Sequence, residues 1–155
     1  MRVLICAVGR WKAGPMRDLF EDYRRRLAWA VELREVEEKR SLPEPQLEAR
    51  EAELLLALLP RERGRLAVVT LDESGKSLTS EAFAQRVRRW RDEGRDTLAF
   101  LIGGAAGHGP AALEAADLVL ALGPMTWPHL LVRGMVMEQL YRAQQILAGH
   151  PYHRA

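Results

Sequence analysis

Cysteine is almost missing from this chain of 155 residues, and asparagine does not occur in it at all. The single cysteine, Cys6, excludes a disulfide framework within the chain and any zinc site built from several cysteines. No hydrophobic run approaches the roughly 20 residues that a membrane-spanning helix needs, and the apolar run after Arg2 has no small-residue cleavage site. We therefore expect a soluble, cytoplasmic protein without a membrane partner.

The common nucleotide-binding motifs are also missing. The stretch GRWKAG, Gly9–Gly14, superficially resembles a phosphate loop, but Pro15 stands where the motif requires Lys and Ser or Thr. No GxGxxG fingerprint follows the first apolar run. The four histidines do not have the HExxH spacing of metalloproteases. These absences argue against kinases, GTPases and dehydrogenases, and we expect no metal site.

The basic residues are nearly all arginine. Of 23 Lys and Arg only 3 are Lys, against 21 acidic residues, so the net charge is only +2. Arginine binds phosphate and stacks on bases, which makes nucleic acid an allowed partner. A skewed genome composition would produce the same ratio. Likewise, the triplet Arg24-Arg25-Arg26 is typical of either a solvated helix face or a phosphate-binding patch.

Apolar spacing predicts five strands and five helices in alternation, which indicates a single α/β domain over residues 1–155 with a mostly parallel sheet flanked by helices. Ser80 suits the N-cap of the third helix. The predicted strands are Arg2–Val8, Val31–Val36, Leu66–Leu71, Thr97–Ile102 and Leu118–Leu122. The predicted helices are Pro15–Ala30, Gln46–Leu59, Ser80–Asp92, Pro110–Ala116 and Leu130–Leu147.

Two loops stand out because each follows a short apolar strand and is rich in turn residues. Gly103–Gly107 follows the fourth strand, and Leu122–Trp127 includes the end of the fifth. Loops at the carboxyl ends of neighbouring parallel strands bind ligands in open α/β sheets, so we expect the two loops to form one pocket. Bare amides without a lysine suit an adenine and a ribose better than a triphosphate, although tight packing between the loops would also require glycine.

The last helix and the C-terminal tail are the other unusual stretches. Leu130–Leu147 is apolar on nearly all sides, which favours burial against the sheet on one side and against a second copy of the chain on the other. The tail, His150–Arg154, combines an imidazole, a phenol and a guanidinium. Tyr152 and His153 suit base stacking, and Arg154 suits a phosphate or an anionic ring edge. The alternative is an ordinary polar terminus.

Several motifs together resemble one enzyme family from end to end. They are Val69-Thr70-Leu71-Asp72 with Gly75-Lys76, Leu101–Gly104 with Gly107, Met125-Thr126 with Pro128-His129 and Leu131–Arg133, Glu138 with Leu140–Ala143, and the ending His150–Arg154. The chain resembles the RlmH family, small SPOUT-class methyltransferases that act on N3 of a pseudouridine in 23S ribosomal RNA. The chain has Ala105-Ala106 where many members have a proline and an acidic residue.

The resemblance implies a SPOUT-type fold with a deep C-terminal trefoil knot, and S-adenosyl-L-methionine as cofactor. By motif position, the cofactor-binding residues are Leu71, Gly103, Leu122, Gly123, Pro124, Met125, Thr126 and Trp127. It also implies a homodimer in the cytoplasm that acts on the assembled ribosome, at a pseudouridine in the helix 69 loop of 23S rRNA. No metal takes part.

Methyl transfer to N3 requires that nitrogen to lose its proton, because only its lone pair can attack a methyl group. We hypothesise that Arg154 stabilises the anionic ring, His153 accepts the proton and Tyr152 stacks on or orients the base. Two rival functions use the same features. One is a ribosome-associated binding module without catalysis, and the other is a methyltransferase for a small molecule.

Overall fold

The computed structural model describes residues 1–154, and of Arg154 it describes the backbone only. Strands and helices alternate along the chain, and a short 3-10 helix, Pro151–Arg154, ends it. The strands are β1 (Arg2–Val8), β2 (Ala30–Val36), β3 (Leu66–Ser77), β4 (Thr97–Ile102) and β5 (Leu118–Ala121), and the helices are α1 (Pro15–Arg26), α2 (Glu44–Ala57), α3 (Ser80–Asp92), α4 (Pro110–Glu114) and α5 (His129–Leu147). All pairings are parallel, in the order β2-β1-β4-β3-β5.

The central strands are covered by helices on both faces, which explains why they are apolar without interruption. In β1, Val3 and Ile5 belong to the core under α1, α3 and α5, whereas Leu4 and Cys6 belong to the core under α2 and α4. This alternation follows from the two-residue period of a strand. The predicted parallel α/β sheet is therefore confirmed. No helix in residues 1–154 is long and apolar enough to cross a membrane.

Two predicted boundaries were wrong for local reasons. Helix α1 ends at Arg26 rather than Ala30, because Leu27 is already extended and Ala30, in β2, pairs with Arg2 of β1. The N-cap of α3 is Thr79 rather than Ser80, since the Thr79 hydroxyl accepts a hydrogen bond from the backbone N–H of Ala82 at 3.1 Å. Apart from the end of β3, the other boundaries differ by no more than two residues.

The largest departure is in β3, which was expected to end at Leu71. Leu71 of β3 pairs with Leu120 of β5, and the chain then leaves β5. It returns at Lys76, which pairs with Leu120 a second time. Between these contacts, Gly75 lies directly on the backbone of β5. A Cβ on Gly75 would stand 2.6 Å from the carbonyl carbon and oxygen of Val119, closer than any side chain tolerates. Glycine is therefore required for this segment to cross β5.

Candidate active site

A cavity of about 720 Å³ lies at the carboxyl ends of β4 and β5 and beside the middle of β3. Its walls are the glycine loop, Gly103–Gly107, and the loop Leu122–Pro128, together with Leu71, Asp72 and Glu73 of β3. The strands β4 and β5 were expected to be neighbours, but β3 lies between them. Strand order depends on tertiary pairing, which the apolar pattern does not encode. The structure still brings the two loops together, because both rise from the same edge of the sheet.

Seven of the eight predicted cofactor-binding residues line this cavity, and Pro124 does not. The seven are Leu71, Gly103, Leu122, Gly123, Met125, Thr126 and Trp127. Asp72, which follows the predicted third strand and from the sequence could either face the pocket or cap its loop, also lines the cavity. Sequence reasoning did not assign three further titratable residues that line it, namely Glu73, His108 and His129. Each of these lies within two residues of a predicted strand end, a helix start or the glycine loop, and that position is the signal by which they could be found.

The glycine loop needs its glycines because the backbone is crowded there. A Cβ on Gly103 would lie 3.2 Å from Cε1 of His108 and 3.3 Å from the carbonyl of Gly107. Gly107 has a positive φ of 84°, which side chains rarely adopt. Just beyond the loop, the buried Thr70 hydroxyl donates to the carbonyl of Ala112 at 2.9 Å and ties α4 to β3. The loop therefore presents bare backbone to the cavity on a rigid support.

The opposite loop exposes two large apolar side chains. Met125 is 71% exposed and Trp127 is 40% exposed. The indole N–H of Trp127 donates to the carbonyl of Leu122 at 3.0 Å, which closes the loop on itself. A ligand in the cavity would therefore meet an apolar rim whose shape is already formed.

His129, the first residue of α5, lines the cavity beneath this loop, and Arg133 lies one turn further along the helix. Arg133 is fully buried, and its guanidinium donates to Glu35 at 2.7 Å and to the carbonyls of Gly9 and Val8 at 3.0 and 3.3 Å. It also lies 4.5 Å from the centre of the Trp11 ring. Burial, followed by the charge of Arg133, holds the pKa of His129 below its usual value. The imidazole of His129 is therefore neutral at neutral pH.

Three buried side-chain atoms in residues 1–154 have no hydrogen-bond partner, namely Glu51 Oε1, His108 Nε2 and Arg133 Nε. All three lie close to the cavity: His108 lines it, Arg133 supports His129, and Glu51 Oε2 lies 3.3 Å from where Gly104 would carry a Cβ. Burial raises the pKa of Glu51, with the charge of Glu48 adding to the effect, and burial lowers the pKa of His108. Unpaired buried polar groups concentrate at functional sites in proteins.

The described residues of the tail pack on α5 and are not among those that line the cavity. The Tyr152 hydroxyl donates to Glu138 at 3.2 Å, and the Arg142 guanidinium lies 4.9 Å from the centre of the Tyr152 ring. His153 Nε2 lies 2.7 Å from Glu81 at the start of α3, and its Nδ1 lies 3.3 Å from Arg142. The pKa of Tyr152 is raised by a hydrogen bond with Tyr23 and then by burial.

Glu138 connects the tail with a second cavity of about 440 Å³. This second cavity adjoins the first, since both are lined by Leu120, Leu122 and Gly123. Of the predicted catalytic residues, Tyr152 and His153 are thus placed beside the second cavity, whereas the side chain of Arg154 lies outside the described residues.

The described part of the chain contains no group of three His, Cys, Asp or Glu residues that could hold a metal ion. The thiol of Cys6 is buried in β1, and burial raises its pKa to about 11, so it is a poor nucleophile.

Comparison with known proteins identifies the family. The family model described as "Predicted SPOUT methyltransferase" matches residues 1–153. "Ribosomal RNA large subunit methyltransferase H" of Paramagnetospirillum magneticum is 60% identical over 99% of both chains. The proteins of that name from Rhodospirillum centenum and Rhodospirillum rubrum are 56% and 54% identical over the full length of both chains. Since both the family model and these relatives match almost from end to end, the chain belongs to the SPOUT methyltransferase family.

Proposed function

We propose that this chain is an S-adenosyl-L-methionine-dependent methyltransferase of large-subunit ribosomal RNA. Its target is N3 of a pseudouridine in the helix 69 loop of 23S rRNA, on the assembled ribosome in the cytoplasm. The observation that carries the proposal is the cavity that the glycine loop and the loop Leu122–Pro128 form together. Full-length similarity to proteins named for rRNA methylation supports the same substrate class.

The cavity fits the cofactor in size and chemistry. Pockets for ligands of this size are typically about 300–1,000 Å³, mostly apolar with a few polar groups. Bare backbone at Gly103 leaves room for a nucleoside, and the apolar rim of Met125 and Trp127 suits adenine and the methionine chain. Asp72 and Glu73 provide carboxylates that complement a sulfonium and an ammonium group. When bound, S-adenosyl-L-methionine supplies an electrophilic methyl group.

The tail residues Tyr152, His153 and Arg154 remain our candidates for contacting the target base. Within one chain the described tail residues contact α3 and α5 and are missing from the walls of the cavity. A base held by that tail would therefore reach the methyl group more readily in the cavity of a second chain. This arrangement makes a homodimer part of the proposed mechanism.

The surface provides an independent argument for the homodimer. All large apolar side chains exposed in the described chain, Met16, Leu19, Met125 and Trp127, lie at one end of the molecule. Helices α1 and α5 both start at the carboxyl edge of the sheet and pack together, with Leu19 against Gly134. The prediction of a dimer from the apolar sides of α5 alone is weaker, because α1 and α3 pack against α5 within one chain. Exposed apolar patches of this kind mark interfaces.

The crossing of β5 by the segment around Gly75 supports the trefoil knot, which stays a prediction of the family resemblance. Such a crossing is unusual, since connections in proteins rarely thread one another. The two rival functions fit less well. A binding module has no use for a cavity of this size, and a small-molecule enzyme has no use for an exposed aromatic and basic tail.

The proposed function is tested by mapping methylation on ribosomes that lack this modification. Ribosomes from cells without this protein are incubated with the purified chain and labelled S-adenosyl-L-methionine, and the rRNA fragments are analysed by mass spectrometry. We expect one methyl group, at the pseudouridine of the helix 69 loop, and only weak transfer to a free helix 69 hairpin, because the net charge of +2 offers few phosphate contacts. Absence of transfer to ribosomes, or methylation at another site, would contradict the proposal.

The tail is tested separately with Arg154→Ala. We expect this variant to bind S-adenosyl-L-methionine normally in a calorimetric titration and to methylate ribosomes at least 100-fold more slowly. Normal cofactor binding together with a normal rate would remove Arg154 from the mechanism.

A further inference from the structure

The proposed reaction needs a group that takes the N3 proton of the base. At neutral pH this nitrogen carries a hydrogen, since uracil-like rings lose it at a pKa of about 9–10, so a general base near the reacting nitrogen accelerates transfer. An effective base must be neutral at working pH, must have a free lone pair and must lie beside the reacting atoms. The histidines are the natural candidates, because imidazole titrates near neutrality.

His153 does not offer a free lone pair in this structure. Its Nδ1 lies 3.3 Å from Arg142 Nη1, and a guanidinium can only donate, so Nδ1 is the acceptor. Nε2 therefore carries the hydrogen and donates it to Glu81 at 2.7 Å. With both nitrogens engaged, His153 is suited to hold the tail in place rather than to accept a proton.

His129 meets the requirements that His153 does not. It lines the large cavity beside Trp127 and the glycine loop. Its Nε2 lies 3.6 Å from where Gly9 would carry a Cβ, and Arg133 follows one turn further along α5. Among the hydrogen bonds of the described residues, none engages a ring nitrogen of His129. A nitrogen lone pair of His129 is therefore available to a base that enters the cavity.

The surroundings of His129 keep it neutral. Arg133 is a permanent cation, and although Glu35 partly balances it, burial and Arg133 together still lower the pKa of His129. The start of a helix also disfavours a cation, because the macrodipole is positive there. The loop after β1 adds the exposed Arg10 and Lys12. The remaining titratable groups that face the cavity are Asp72, Glu73 and His108.

Those three groups are poorer bases. The Asp72 carboxylate already accepts hydrogen bonds from the backbone N–H and the hydroxyl of Ser74. Carboxylates, the class of group that Glu73 provides, are in general weaker bases than imidazole. Nε2 of His108 is buried within the protein rather than open to the cavity.

We infer that His129 is a catalytic residue that accepts the N3 proton of the target base, an inference that rests on the proposed function. The proton moves from N3 to a ring nitrogen of His129. The N3 lone pair then forms a bond with the methyl carbon, and the carbon–sulfur bond breaks with its electron pair remaining on sulfur. The sulfonium becomes a neutral thioether, and the imidazolium returns its proton to solvent.

The experiment compares the variants His129→Gln and His153→Gln with the unchanged chain. Single-turnover methyl transfer to ribosomes lacking the modification is measured at saturating S-adenosyl-L-methionine between pH 6 and 9. Without a general base, only ionised N3 reacts, so the rate of His129→Gln should rise about tenfold per pH unit towards the pKa of N3. We expect His129→Gln to be about 100-fold slower than the unchanged chain at pH 7 and within a few-fold of it at pH 9.

For His153→Gln we expect a methyl-transfer rate that is lower than that of the unchanged chain by the same factor at every pH. A misplaced tail lowers the rate without changing the proton acceptor. Exogenous imidazole should restore part of the rate of a second variant, His129→Ala, and should not affect His153→Gln. Calorimetric binding of S-adenosyl-L-methionine and the urea unfolding midpoint show that each variant is folded.

Three results would overturn the inference. The first is a methyl-transfer rate of His129→Gln within threefold of the unchanged chain at pH 7, and the second is a rate of His129→Gln that is lower by the same factor at every pH. The third is a rate of His153→Gln that is low at pH 7 and reaches that of the unchanged chain at high pH. Failure of the proposed function has a different outcome, since the unchanged chain would then transfer no methyl group to ribosomes at any pH.

Discussion

Because Gly103 has no side chain, the glycine loop can pack closely and leave the cavity open to a ligand. A Cβ there would press on the carbonyl of Gly107 at 3.3 Å and on the ring of His108 at 3.2 Å. We expect Gly103→Ala to displace the glycine loop and to weaken S-adenosyl-L-methionine binding about tenfold in a calorimetric titration, or about 1.4 kcal/mol. The control is Gly64→Ala, where a Cβ meets nothing within 4 Å. Equal affinities of the two variants would contradict this account of the loop.

Arg133 is the residue on which the wall below His129 depends. It is 0% exposed, and it binds Glu35 and the backbone carbonyls of Val8 and Gly9 at the end of β1. We expect Arg133→Met to lower the free energy of unfolding by about 3–5 kcal/mol, because it removes the cation that balances the Glu35 carboxylate and binds both carbonyls. Urea denaturation measures this loss.

The matched control for Arg133 is Arg65→Met, since Arg65 makes an exposed ion pair with Asp96 at 2.8 Å. Exposed pairs contribute about 0–1 kcal/mol. If Arg133→Met and Arg65→Met lost the same small free energy of unfolding, the buried guanidinium of Arg133 would not hold α5 against the ends of β1 and β2.

At the scale of elements, the crossing of β5 by the end of β3 is the feature that apolar patterns could not predict. Residues after Leu71 are polar and contain Gly75, so they are typical of a loop, and the strand was expected to stop there. The structure continues it to Ser77, because Lys76 and Ser77 pair with Leu120 and Ala121. Only the position of β5 in space, and not any local preference, determines this second pairing.

Gly75→Ala tests the crossing. The new Cβ would stand 2.6 Å from the backbone of Val119, and a strand backbone cannot move aside as a side chain can. We expect a loss of about 3 kcal/mol in urea denaturation, at the upper end of the range for overpacked sites. The same Gly64→Ala control applies. A loss below 0.5 kcal/mol would mean that the segment does not cross β5 as described.

Helix boundaries show the same limit in a milder form. The helical spacing of apolar residues placed α1, α3 and α5 correctly, but it extended α1 to Ala30 because Leu27 continues the periodic pattern. Pairing of Ala30 with Arg2 outweighs that preference. For α3, both Thr79 and Ser80 suit the N-cap, and the hydrogen bond from Ala82 selects Thr79.

For the whole molecule, the central question is how the tail and the cavity meet. Within one chain the tail residues whose side chains the structure describes do not line the cavity, and the exposed apolar side chains at one end provide a surface for a second copy. We expect the chain to sediment as a dimer and Met16→Glu to weaken association at least tenfold, because a carboxylate would be buried in the interface. Arg25→Glu is the control, since it lies half a turn away around α1.

Sedimentation velocity at micromolar concentrations, combined with the methylation assay, decides this prediction. If Met16→Glu were monomeric and fully active, the tail would serve the cavity of its own chain. If it stayed a dimer, the interface would lie elsewhere on the surface.

The amino-acid sequence by itself determined the α/β class, the number and type of its elements, and the two loops that form the cavity. These features follow from local period and from glycine and proline, which act within a few residues. Tertiary structure alone decided the strand order, the return of β3 to β5, and the binding of Arg133, one turn from His129, to Glu35 and to the carbonyls of Val8 and Gly9. Those relations join residues far apart in the chain, and they arise only when the whole core packs at once.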